Sequence, residues 1–117
     1  MSIHCFDKDI ARDLGLNEAI VHHHLCFWTK INTMAKRNRR DGKCWTYNTI
    51  EEISVVVNYL TLKQIGTVIE NLINAGKVLK GNYSRGKRTN WYHAVDAILY
   101  FKKLKEAENS EEIGAEP

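Results

Sequence analysis

The sequence predicts a mainly α fold of the α+β class, with a long N-terminal helix, two short capped helices around a tight turn, a C-terminal β-hairpin and a final helix. Three observations carry this reading. Apolar residues recur at helical spacing through 20–34. Thr61 and Gln64 open a second apolar stripe that stops at Gly76, and strand-forming residues flank a basic, glycine-containing stretch at 84–88. With 117 residues and 44% hydrophobic content, the chain has the size of one domain with a modest core. That domain is predicted over 1–108, followed by an acidic, disordered tail over 109–117.

Each element has a local reason. Phe6, Ile10 and Leu14 share one face of a short first helix, which Gly15 stops. Asn17 is the predicted cap of the long helix, whose stripe is Ile20, Val21, His24, Leu25, Trp28, Ile31 and Met34. Residues 36–43 then break all periodicity with five bases and an Asp41-Gly42 turn, predicting an exposed basic loop. Trp45, Thr46 and Tyr47 form a short extended piece. Asn48 or Thr49 caps the next helix, with Glu51 and Glu52 placed to close a capping box and Ile50, Ile53, Val56 and Val57 facing inward. After the turn Asn58-Tyr59-Leu60, Thr61 and Gln64 form a second capping box for a helix with Ile65, Val68, Ile69, Leu72 and Ile73 on its buried face. Two such helices around a tight turn make a helix-turn-helix. Strands at 78–83 and 89–95 around the basic tip 84–88 make a wing, so the expected fold is a winged helix-turn-helix. Asp96 is placed to cap a last helix carrying Ile98, Leu99, Phe101 and Leu104 and ending near Ala107.

The net charge of +3 hides an asymmetry. Residues 1–105 hold all 17 bases and 9 of the 14 acids, so they carry +8, while the other 5 acids (Glu106, Glu108, Glu111, Glu112, Glu116) lie beyond Lys105 with no base among them. A basic body points to a polyanionic partner, and an acidic tail is able to shield it. Cys5, Cys26 and Cys44 are odd in number and without a C-x-x-C pair, which fits reduced thiols in a cytoplasm. No apolar run reaches the length of a membrane span and no signal peptide opens the chain, so a membrane partner is not expected.

Residues 1–11, the Trp45-Thr-Tyr-Asn-Thr-Ile run, Lys63-Gln-Ile, Gly81-Asn-Tyr and Trp91-Tyr-His-Ala resemble phage and prophage winged-helix proteins. The resemblance covers roughly residues 1–95. It implies the N-terminal DNA-binding domain of replication-initiation or replisome-organiser proteins, with double-stranded DNA as partner. Where that pattern has two arginines after Lys-Gln-Ile, this chain has Gly66 and Thr67.

The helix at 61–75 is the element expected to enter a major groove, and Lys63, Gln64, Thr67 and Asn71 are its candidate contacts. Its charge runs the other way. Residues 48–75 hold Glu51, Glu52 and Glu70 against Lys63 alone, giving −2. Backbone contacts are therefore assigned to Lys36, Arg37, Arg39, Arg40 and Lys43 in the loop and to Lys80, Arg85, Lys87 and Arg88 at the wing. Tyr83, Trp91 and Tyr92 are read as packing aromatics, with Trp91 and His93 on one strand face and Tyr92 on the other. His22 and Cys26 stand i, i+4 without an identifiable third ligand, so neither a metal nor another cofactor is expected. No phosphate loop or nucleophile-base pattern appears, so an enzyme is not expected either.

Two functions remain open from sequence. One is a nucleic-acid-binding protein acting in replication initiation or transcriptional regulation. The other is a protein-binding winged helix that has lost base readout, with replication machinery or a host defence nuclease as partner, in the manner of an anti-CRISPR inhibitor. A homodimer through 19–34 or 98–104 is compatible with both.

Overall fold

The computed structural model describes residues 3–83 and 89–114, from residue 107 as backbone. Among these residues the chain is an α+β fold of five helices and two small antiparallel sheets. Asp7 caps α1 (Lys8–Leu14) by accepting from the Asp9 amide. Gly15, at φ 123°, both ends α1 and begins α2 (Leu16–Met34). The predicted cap at Asn17 is therefore corrected to Gly15. A side chain at Gly15 would be strained at that φ and would crowd the Glu18 carboxylate.

The buried face of α2 is also not the predicted stripe. Val21 and Leu25 are buried, but Trp28 and Met34 are exposed, and Ala19, His22, Cys26, Thr29 and Asn32 take the inner positions. The polar members are tolerated because distant backbone satisfies them. Thr29 Oγ1 accepts from the Ala94 amide at 3.1 Å and Asn32 Nδ2 donates to the Trp45 carbonyl at 3.0 Å.

The predicted basic loop is a β-hairpin. Strands β1 (Arg39–Arg40) and β2 (Lys43–Cys44) pair antiparallel, Arg39 with Cys44 and Arg40 with Lys43. Asp41 and Gly42 between them have φ 53° and 74°, which is the two-residue turn an Asp-Gly pair favours because both positions need positive φ. β3 follows (Thr46–Asn48).

Helix α3 (Ile50–Val56) opens with the Thr49–Glu52 capping box, and α4 (Leu62–Asn74) with the Thr61–Gln64 box. Ile65, Val68, Ile69 and Leu72 of α4 are buried, as are Ile53 and Val57, whereas Val56 is exposed. Strands β4 (Val78–Gly81) and β5 (Asn90–Ala94) complete a three-stranded sheet in the order β3-β5-β4. Tyr92, Val78 and Ala94 join α2, α3 and α4 in the core. Trp91 and His93 lie on the opposite sheet face.

The last helix, α5, spans Ala97–Gly114, which corrects its predicted end near Ala107. Ala107, Glu106 and Glu108 are strong helix formers, and no glycine or proline interrupts the run before Gly114. Its packed residues are Ala97, Tyr100 and Phe101, while Ile98 and Leu99 stay exposed. No helix among the described residues is long and apolar enough to cross a membrane.

Candidate nucleic-acid interface

The hairpin β1-β2 is fastened to the outer face of the three-stranded sheet. Trp45 directly follows β2, and its indole Nε1 donates to the Arg40 carbonyl at 2.9 Å while its backbone amide donates to Asn38 at 3.1 Å. The Trp45 ring meets Tyr83 edge-on at 5.3 Å and His93 at 5.8 Å. Tyr83 in turn meets Trp91 at 5.2 Å, and its hydroxyl donates to Asp41 in the hairpin turn. That carboxylate bond holds the Tyr83 phenol above its ordinary pKa. Trp91, 8% exposed, carries the Arg40 guanidinium over its ring at 5.3 Å, a cation–π contact. His93 Nδ1 lies 2.8 Å from the Cys44 carbonyl. Arg40 is therefore mounted on a packed aromatic layer, while Lys36, Arg37, Arg39 and Lys43 stay exposed around it.

Charge gives the hairpin its chemical character. Among the described residues the only ion pairs join Arg12 to Asp9 and Asp13. None of Lys36, Arg37, Arg39, Arg40, Lys43, Lys63 or Lys80 is in one. Arg40 and Lys43 stand directly opposite each other across the strand pair, an arrangement that costs stability by like-charge repulsion.

The strand ends connect this patch to α4. Arg37 lines a cleft of about 280 Å³ with Asn48. Asn48 pairs in register with Asn90, which lines a neighbouring cleft with Leu62 and Lys63 at the start of α4. Lys63 and Thr67 are exposed and border a third cleft with Asn17 and Thr61. Lys80 is exposed on the edge strand β4, opposite Tyr92 in register.

Two predicted contacts of α4 already have internal partners. Gln64 Oε1 accepts from the Thr61 amide at 2.8 Å, and Asn71 Nδ2 donates to Glu18 Oε2 at 3.1 Å. Arg85, Lys87 and Arg88 lie outside the described residues. The sequence reading missed Tyr47, Asn38, Asn48 and Asn90 at this surface. The Asp-Gly turn was the signal for them, because a hairpin there folds residues 37–40 back beside 45–48.

Elsewhere, His22 Nε2 and Cys26 Sγ touch at 3.3 Å inside the core. Burial, reinforced by Lys77, lowers the His22 pKa to about 4, and burial pushes the Cys26 thiol up to about 12. Among the described residues no three His, Cys, Asp or Glu side chains converge as a metal site would need. All three cysteines are free, Cys5 exposed and the others buried. Compared with protein-family models, curated proteins and solved structures, the chain matches none.

Proposed function

We propose that this chain is a winged-helix nucleic-acid-binding protein of the phage replication-initiation or transcription-regulating kind, which grips duplex backbone through the hairpin 39–44 and the wing. The observation that carries the reading is the set of five bases at 36–43, none in an ion pair with another described residue and two of them opposed across a hairpin. A hairpin shaped by stability alone would alternate its charges. Phosphates between Arg40 and Lys43 remove the repulsion and release counterions. The order strand β3, helices α3 and α4, hairpin β4-β5 supports the winged-helix reading. The wing-tip bases Arg85, Lys87 and Arg88 extend the patch in sequence.

Duplex affinity measured by fluorescence anisotropy across a salt series tests this. If the five bases each meet one phosphate, the logarithmic salt slope is about −4.5, a loss of roughly 500-fold between 50 and 200 mM salt. Replacing Arg39 and Lys43 by alanine lowers the magnitude of the slope by about 2. A slope unchanged by that pair refutes the assignment.

A second reading rests on α4. With Gln64 Oε1 and Asn71 Nδ2 bonded internally and Glu70 adding an acid, its outward face offers fewer groups to base edges and suits a protein partner, whether replication machinery or a host defence nuclease. Capture of a partner that survives nuclease treatment, through α4 and not through the hairpin, selects it.

A further inference from the structure

We infer that the cleft between α2, β3 and the approach to the basic hairpin is a pocket for an unpaired nucleobase, so that the protein engages single-stranded nucleic acid beside its duplex grip. The inference rests on the nucleic-acid reading above and names the form of the ligand.

The cleft encloses about 280 Å³ and is lined by two aromatic side chains, Trp28 and Tyr47, together with Arg37, Asn38 and Asn48. Both aromatics are open to solvent, at 41% and 51%. Exposed aromatics facing a polar cleft are not explained by the core, which Tyr92 and the aliphatic residues fill. Tyr47 is held on one side by the Trp91 ring, at 5.3 Å and 32° between planes, so its orientation is fixed before any ligand arrives. Any base stacks on such a ring, because every base has a π face.

The polar lining complements a base edge. Asn38 spends its Nδ2 on the Trp45 carbonyl and Asn48 spends its Oδ1 on the Thr46 hydroxyl, which leaves an acceptor on Asn38 and donors on Asn48. A heterocycle edge carries both kinds of group. Arg37, in no ion pair among the described residues, supplies a cation for the adjoining phosphate. The volume is at the small end of ligand pockets. It suits one planar ring and not a stretch of duplex, whose paired bases hide the faces that stack.

The full-length chain is titrated with a fluorescein-labelled oligothymidine and, separately, with a duplex of matched length. Tyr47→Ala is expected to weaken single-strand binding about tenfold more than it weakens duplex binding, while Tyr47→Phe retains both. Equal single-strand affinity of wild type and Tyr47→Ala overturns the inference, as does a proportional loss on both ligands by a variant that melts like wild type. Should Tyr47→Ala melt early, Trp28→Ala carries the same comparison. Duplex binding with the hairpin-dependent salt slope, combined with insensitivity of the single strand to both aromatics, sinks the pocket alone. Failure of wild type to retain either ligand sinks the nucleic-acid reading as well.

Discussion

Lowering the pH should destabilise this fold well before its carboxylates titrate, and His22 is the reason. Its ring is 3% exposed, lies against Cys26 Sγ at 3.3 Å and meets the Tyr100 ring edge at 5.1 Å. Burial is the first cause of a folded-state pKa of about 4, against 6.5 for an unperturbed histidine. The unfolded chain therefore binds a proton in the interval where the folded chain does not. Stability is complete above pH 6.5, falls as the pH drops through that interval, and levels off below about 4. At 1.36 kcal/mol per pH unit the loss is roughly 2 kcal/mol by pH 5 and about 3 at the end of the interval. Against a total of roughly 5–15 kcal/mol for a typical domain, that is a large fraction. His23 and His24, both lowered chiefly by burial, act in the same direction. Urea unfolding of wild type and His22→Leu at intervals from pH 7.5 to 5 measures it, and most of the slope should vanish in the variant. Equal slopes, or a His22 proton resonance titrating near 6.5, would refute the reasoning.

Three further substitutions probe separate parts of the fold and site. Gly66→Ala should stabilise the protein by about 0.5–1 kcal/mol, because the helix gains a better former and the new methyl would meet only Ile50 Cδ1, at 3.7 Å; a lower melting temperature contradicts this. Gly81→Ala should destabilise by about 1–3 kcal/mol through overpacking, since a Cβ there would lie 2.6 Å from the Tyr83 ring and 3.2 Å from Trp45, and chemical denaturation reads the difference. Asn71→Ala removes the partner of the buried Glu18 carboxylate, at a cost of about 1–3 kcal/mol, and should leave duplex affinity at matched salt unchanged. A marked loss of affinity in a variant of near-normal stability would return Asn71 to base readout.

What the sequence made legible follows the range over which each signal acts. The two capping boxes are complete within four residues, so Thr49–Glu52 and Thr61–Gln64 could be read directly, as could the four buried aliphatics of α4. The inner face of α2 could not. Its buried Thr29 and Asn32 are satisfied by Ala94 and Trp45, 65 and 13 residues away, and no local pattern announces partners at that distance. Hydrophobicity pointed to Trp28 and Met34, which are exposed. The hairpin at 39–44 was hidden for another reason, since strands of two residues composed of Arg39-Arg40 and Lys43-Cys44 carry almost no propensity signal. Only the Asp-Gly turn betrayed it. The candidate site was thus legible as a set of charges and not as a surface.

That difference bears on how a weakly charged α4 and a basic hairpin belong to one protein. A flexible basic loop would lose side-chain and backbone freedom on meeting phosphate, and this ordering subtracts from affinity. Here the hairpin is already ordered by the Asp41-Gly42 turn, by the Trp45 bond to the Arg40 carbonyl and by Arg40 over Trp91. On the proposed reading, part of that ordering is met during folding, and the remaining repulsion between Arg40 and Lys43 is relieved on binding. On that reading the helix α4 contributes position more than contact. Its Asn71 is bonded to Glu18 at the start of α2 and its Gln64 closes its own first turn, which fixes Lys63 at the edge of the same surface. Backbone grip with little sequence preference follows from such a division, because phosphate contacts carry no base information. On the proposed reading, stacking on Tyr47 and Trp28 tolerates every base, so selectivity has to come from groups that meet base edges, and among the cleft's lining the amides of Asn38 and Asn48 are the candidates.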